Sequence, residues 1–203
     1  MREILTDRLL LRLMDYCDVS AFAAYRSHPD VARYQSWDTG FSRADAERLV
    51  DAQQDLDFGD PGPWVQLAVV DRSTGALCGD CAVHVEAEPP QTAEVGVTFA
   101  PATQGGGLAT EALGAVVTRL FEEHGIHRVY AQADDRNVAV HRLLERLGFR
   151  CEARLVEADF FKGEWCTMRT YAVLRREWRE LRSPAPRTPP RDAGPPRSGS
   201  DPG

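Results

Sequence analysis

Apolar and polar residues alternate with period two in several short runs of this chain and recur with helical period in several others. Residues 6–13 alternate weakly and predict a first strand, and 18–25 follow a helical period closed by His28-Pro29. A second helix is expected over 42–54, with Ser42 and Asp45 in an N-cap arrangement. Runs 64–70 and 76–85 flank the turn residues 71–75 and predict a hairpin. After Pro89-Pro90 come a strand over 93–99, a Gly-rich turn and a long helix to about residue 124, stopped at Gly125. Further on, 129–133 predicts a buried strand, 137–147 a helix ending at Gly148, and 149–157 and 165–174 two more strands. The order β-α-β-α-β-β around the Gly-rich turn predicts a mixed α/β (α+β) sandwich.

Composition adds a boundary. Seven of the 13 prolines fall in 183–203 beside Gly, Ser and Arg, with no aliphatic side chain larger than Ala. Such a segment cannot bury enough surface to order itself, so one folded domain over 1–182 and a disordered tail over 183–203 are expected. Formal net charge is −7, and the tail carries three arginines against two aspartates, which leaves the body near −8. An acidic body lacks the basic footprint that nucleic acid requires and suits a cationic or amine partner. No apolar run approaches a membrane span and the N-terminus shows no secretory segment, so a soluble, cytoplasmic protein without membrane attachment is expected. The five cysteines form no secreted-type framework; Cys78-Gly79-Asp80-Cys81 lacks a second ligand pair and lies inside a strand pattern, so no metal site is expected.

The Gly-rich turn reads Gln104-Gly105-Gly106-Gly107-Leu108-Ala109 and feeds Thr110-Glu111 at the start of the long helix. A strand, a Gly turn and a helix N-terminus together form an anion cradle: exposed N–H groups, partial positive charge and no Cβ in the way. A Walker loop would end in Gly-Lys-Ser/Thr, and a dinucleotide fingerprint would need a Gly where Thr110 stands. Instead Gln104, Gly107 and Ala109 resemble the pyrophosphate signature of the GNAT superfamily of acyl-CoA N-acyltransferases. Asn137, Leu144-Glu145-Arg146 and Gly148-Phe149 resemble its second signature. Thr6-Asp7-Arg8-Leu9 with Leu11-Arg12, Pro29-Asp30-Val31 with Arg33-Tyr34, Trp37, Gly163 with Trp165, Tyr171 and Glu177-Trp178 are similar to the branch containing ribosomal-protein N-terminal acetyltransferases.

The resemblance implies a GNAT fold: a mostly antiparallel sheet, splayed at the cofactor site and flanked by helices. It implies acetyl-CoA or another acyl-CoA as co-substrate and a protein N-terminus or small-molecule amine as acceptor, attacked directly in a ternary complex. A homodimer through the C-terminal strands belongs to the same expectation. Cofactor contacts are expected from Val97, Phe99, Gln104, Gly105, Gly106, Gly107, Leu108, Ala109, Thr110, Asn137 and Arg142, with a bulge in the 93–99 strand freeing an N–H as oxyanion donor. Glu94 is the first candidate for general base, because it shares a strand face with Gly96 and Thr98, opposite Val95, Val97 and Phe99. Asp80 and His84 are runners-up, and Tyr34, Trp37, Asp38, Phe160, Phe161 and Trp165 are acceptor-side candidates. The sequence departs from the family at the leaving-group end, with Leu144 where many members carry a Tyr and Val140 where this branch carries a Ser. His141 reads as a helix-surface residue rather than a replacement acid. These departures keep open an alternative, a CoA-binding regulator of the same fold with little turnover.

Deleting 183–203 should leave the melting temperature and the affinity for CoA unchanged. A clear loss of either, by thermal melt or calorimetric titration, would show that the tail docks on the body.

Overall fold

A computed structural model describes residues 3–183; apart from Ser183, the expected tail lies outside the described residues. The strands are β1 (Ile4–Leu5), β2 (Leu9–Leu13), β3 (Val65–Asp71), β4 (Leu77–Val85), β5 (Thr92–Phe99), β6 (Arg128–Asp134), β7 (Arg150–Phe161) and β8 (Glu164–Leu174). Helices α1 (Val19–Arg26), α2 (Pro29–Ala32) and α3 (Arg43–Ala52) precede β3. The others are α4 (Leu108–Glu123) between β5 and β6, α5 (Val138–Arg146) between β6 and β7, and α6 (Arg175–Arg182) after β8. One eight-stranded sheet runs in the order β1-β2-β3-β4-β5-β6-β8-β7, antiparallel everywhere except between β5 and β6.

The sheet is covered on both faces. On one, α4 lays Leu113, Val116, Val117, Leu120 and Phe121 on Leu9, Leu67, Val83, Val95 and Val129, and Leu144 and Trp178 extend this core. On the other, Phe22, Ala23, Ala46 and Val50 of α1 and α3 cover Ala68 and Val70. Residues of β3 are therefore buried on both sides, which explains the apolar run Leu67–Val70 that follows Gln66. The predicted stops hold: Ser42 and Asp45 form the expected capping box, and Gly125 and Gly148 follow α4 and α5 with φ of 66° and 89°.

Three readings need correction. The run 6–13 is not one strand, because Thr6 Oγ1 donates to Glu111 Oε1 at 2.6 Å and accepts from Leu9 N–H at 2.9 Å, folding the chain into a turn between β1 and β2. Helices α2 and α6 were not foreseen; α2 is one turn opened by Pro29, and α6 has only two apolar residues, Trp178 and Leu181, among charged ones. The bulge expected in β5 is absent, since its register against β4 runs unbroken from Gly79–Phe99 to Val85–Ala93.

Charged groups hold α1 to the sheet. Asp80 on β4 is 1% exposed, and it accepts hydrogen bonds from Arg26 at 3.0 Å, Gln66 at 3.2 Å and Tyr25. The Arg26 guanidinium lies 3.9 Å from the Trp37 ring centroid and 4.3 Å from that of Phe22, closed off from water. Removing one partner of such a pair strands the other charge in a low-dielectric site. Asp80→Ala should therefore cost roughly 3–5 kcal/mol in urea denaturation. A loss below about 1 kcal/mol would show that the pair does not hold α1 in place.

Candidate active site

The site begins where β5 and β6 part. They pair through Thr92–Arg128, Ala93–Val129 and Glu94–Tyr130 and no further. Strand β6 stays bonded to β8 on its other side as far as Asp134–Met168. Beyond Glu94, the β5 backbone groups that face β6 lose their ladder partners. A cavity of about 540 Å³ opens there, lined by Val97, Thr98 and Phe99 along β5.

At the far end of this cavity the Gly-rich turn is held from two sides. Gln104 Nε2 donates to Phe99 O at 2.9 Å, and Thr103 Oγ1 donates to Cys78 O at 2.8 Å. The Gln104 amide, expected to face the cofactor, thus braces the turn, although the residue also lines the cavity. Gly107, with φ 79°, precedes α4 in a left-handed conformation and offers no side-chain cap. The first-turn N–H groups of α4 at Leu108, Ala109 and Thr110 are therefore left to an anion. All three residues line the cavity, as do Gly105 and Gly107. An added Cβ at Gly105 or Gly106 would meet nothing within 4 Å, which leaves the turn's surface open to a ligand. These features fit a pyrophosphate.

Asn137 caps α5, its side chain accepting from Val140 N–H at 3.3 Å, and with Arg142 and Val140 it forms the opposite wall. Arg146, read in the sequence as part of the second signature but not as a cofactor contact, lines this cavity and a neighbouring one of about 480 Å³ that reaches Glu111 and Arg182 on the other side of the α4 terminus. The available signal was its spacing, four residues after Arg142 on one helix face.

The acceptor-side candidates separate. Tyr34 lines the cavity, with Arg136 5.8 Å from its ring centroid. Trp37 instead donates to Arg26 O at 3.1 Å and stacks on that side chain, and Asp38 accepts from Gly40 N–H at 2.7 Å in an exposed turn. Asp80 is enclosed in the Arg26 pair and does not reach the cavity. Phe160 and Trp165 pack edge to face, 5.2 Å apart, on the exposed β7–β8 hairpin, whose tip is bonded to α2 through Lys162 Nζ and Ala32 O. Phe161 is half-buried beside them. Contrary to expectation, His141 is not on the surface: it is 6% exposed and stacked on Tyr171. The thiols of Cys78 and Cys81 are buried in the core.

Glu94 sits at the closed end of the splay, about 10 Å up β5 from Val97. His84 is its register partner on β4 and Tyr130 its partner on β6. Tyr130 Oη lies 3.2 Å from Glu94 Oε2 and 2.6 Å from Glu86 Oε1. Glu86 Oε2 lies 3.3 Å from His84 Nε2, and the His84 ring stacks on Trp64 at 5.3 Å. Burial pushes the Glu94 carboxyl above its ordinary range and the Glu86 charge adds to it; a hydrogen bond donated by Tyr130 would oppose both. Burial and the two carboxylates likewise raise the Tyr130 phenol. Glu86, Tyr130 and Trp64 were missed by sequence reasoning, since only strand pairing places them beside Glu94.

Comparison with known proteins matches this geometry. Residues 8–150 match the family model of the acetyltransferase (GNAT) domain. The uncharacterized N-acetyltransferase YnaD of Bacillus subtilis is 29% identical over 176 residues, which span 87% of this chain and 99% of that protein. A shorter match, 31% identical over 104 residues, covers 51% of this chain and 57% of YdaF of Bacillus subtilis, which is named for ribosomal N-acetylation. Among solved structures, the GNAT-family acetyltransferase from Bacillus anthracis superposes with a TM-score of 0.76 at 26% identity, over 86% of this chain and 99% of its own. The splayed sheet, the open Gly turn and these relatives together establish that the chain is an N-acetyltransferase belonging to the GNAT family.

Proposed function

We propose that this enzyme transfers an acetyl group from acetyl-CoA to a primary amine, either a protein N-terminus or a small molecule, by direct attack in a ternary complex. The observation that carries the reading is one cavity that runs from the uncapped α4 terminus along β5 to Val97, three residues beyond the last β5–β6 pair at Glu94. In this reading the N–H groups from Gly105 to Thr110 take the pyrophosphate, with Arg142 and Arg146 supplying charge. The unpaired β5 backbone at Val97 and Phe99 takes the extended arm in place of a strand. Acyl-CoA supplies the activated thioester carbonyl.

The remaining requirement is a neutral amine. An alkylamine of pKa about 10.4 is neutral in roughly one molecule in 2,500 at pH 7, whereas an α-amine of pKa about 7.7–8.0 is neutral in roughly one in ten. A base therefore matters far more for an alkylamine acceptor. Glu94 is assigned that role, supported by its place at the closed end of the splay and by its raised proton affinity, which brings it nearer to neutral pH. Tyr34, Phe160 and Trp165 stand on the two segments that meet at the hairpin tip and are assigned to the acceptor side. A second reading, a CoA-binding regulator, draws on the two positions where the family resemblance implies Ser and Tyr: Val140 lines the cavity and Leu144 is 1% exposed in the core.

Release of CoA thiol in the presence of a panel of amines separates these readings, since a pure binder releases none. In the active enzyme, Glu94→Gln should lower turnover by about 10²–10⁴ while the KM for acetyl-CoA barely moves. Glu94 works ionised, so the wild-type rate should climb as pH rises through its raised pKa. In Glu94→Gln only the acceptor's own ionisation should remain in the profile. Turnover equal to wild type would remove Glu94 from the chemistry.

The cofactor cradle is tested separately. Gly107 is a poor site for a probe, because its left-handed φ of 79° would strain any other residue. Ala109→Glu instead places a carboxylate on the first turn of α4, against the expected pyrophosphate. CoA should no longer raise the melting temperature of this variant, whose own stability stays near wild type. Equal protection of variant and wild type would move the cradle elsewhere.

A further inference from the structure

The cluster around Glu94 holds more than a base needs. Five side chains meet on the sheet face opposite α4: Trp64, His84, Glu86, Glu94 and Tyr130. Arg128 faces the same ring, its guanidinium 6.0 Å from the Tyr130 centroid, but Glu152 holds it with two bonds of 3.1 and 2.6 Å. His84 leans on Glu86 rather than on Glu94. Tyr130 is therefore the member of this cluster within hydrogen-bond reach of Glu94, while Glu86 and His84 act on it through charge, in opposite directions.

A phenol carries one hydrogen, and here two carboxylates lie within its reach. Glu86 Oε1, at 2.6 Å, sits at the short distance of a charge-assisted O–H···O⁻ bond; Glu94 Oε2, at 3.2 Å, lies beyond the usual O–H···O range. The shorter contact takes the hydrogen. Tyr130 Oη then turns a lone pair toward Glu94, a contact that becomes a hydrogen bond only when Glu94 itself carries a proton. Hydrogen bonding to the neutral form of an acid raises its proton affinity.

We propose that Tyr130, oriented by Glu86, is a positioning residue that strengthens Glu94 as a base by accepting a hydrogen bond from the Glu94 carboxyl after it has taken up the acceptor's proton. The proposal rests on Glu94 being the base. In the step itself the acceptor's ammonium N–H bond breaks, its electron pair stays on nitrogen, and the proton passes to the Glu94 carboxylate. With that proton on Oε2, the carboxyl donates to Tyr130 Oη. The nitrogen pair forms the new C–N bond to the acyl carbon. The C–S pair leaves on sulfur, which takes up the second proton lost by nitrogen. Glu94 returns its proton to water. Burial of Glu94 favours the neutral carboxyl, the form that the proposed bond to Tyr130 Oη requires.

The test is an NMR titration of side-chain carboxyls in protein labelled with carbon-13 glutamate, the Glu94 signal being identified by its loss in Glu94→Gln. Tyr130→Phe should lower the Glu94 pKa by about one pH unit, since the neutral form loses its acceptor. If the phenol instead donates to Glu94, the same substitution raises the pKa, and a rise or no change overturns the proposal. A second pair of variants keeps the test intact should Tyr130→Phe fail to fold. Glu86→Gln and Glu86→Ala both remove the neighbouring charge, but only Glu86→Ala frees the phenol hydrogen to donate to Glu94. Glu94 should titrate lower in Glu86→Ala than in Glu86→Gln, and equal values overturn the proposal. In turnover, Tyr130→Phe should lower kcat roughly threefold to tenfold with the acetyl-CoA KM unchanged. An unaltered kcat, in an enzyme that Glu94→Gln impairs, removes the positioning role. Full turnover in Glu94→Gln removes the base assignment instead, so the two failures are told apart.

Discussion

Strands β5 and β6 run parallel for three residue pairs, ending at Glu94–Tyr130, while β6 continues against β8 to Asp134–Met168. A strand cannot follow two diverging neighbours, and here the longer ladder wins. Seven antiparallel pairs on the β8 side outweigh three parallel ones on the β5 side. The cost is a row of unpaired backbone groups along the end of β5, tolerable only where water or a ligand satisfies them. The cavity beyond the last pair, the Gly turn at its far end and the place of Glu94 at that last pair all follow from this separation.

The separation needs rigid supports. On one face α4 is fixed by a continuous apolar core and by Glu111, which accepts hydrogen bonds from Thr6 and from the backbone and side chain of Arg8. The Arg8 guanidinium also donates to Gly106 O at 2.9 Å, tying the N-terminal turn to the Gly-rich turn. On the other face α1 is held by the buried Arg26–Asp80 pair and α3 by Gln53, whose amide bonds Met14 O and the backbone of Gln66. Trp37, stacked on Arg26, carries the same rigidity into the loop that follows Tyr34. Residues first considered for acceptor contact thus act as a frame behind the cavity wall.

Much of the fold was legible because its determinants are local. Period-two runs gave β3, β4, β5, β6 and β8, helical periods gave α1, α3, α4 and α5, and stop signals such as Ser42, Gly125 and Gly148 act within one turn of where they stand. The cradle was legible for the same reason. A Gly turn followed by a helix N-terminus is contiguous in sequence, so its capacity for an anion needs no distant partner. The first strand failed as a reading because its break is imposed by Glu111, some hundred residues away.

What the sequence could not decide was which side chains face each other across the sheet. Strand alternation put Glu94 ahead of Asp80 and His84 as a base without showing what any of the three faces. Only the register of α1 against β4 buries Asp80 under Arg26, and only the β4–β5–β6 pairing sets His84, Glu86 and Tyr130 around Glu94. The physical reason is that periodicity fixes the face on which a residue lies but not its neighbour across the ladder. That neighbour depends on strand order and register, which pairings between distant segments settle. The sequence by itself therefore determined the fold class, the family and the anion cradle, and the tertiary structure alone decided that Glu94 stands at the last β5–β6 pair and which side chains surround it there.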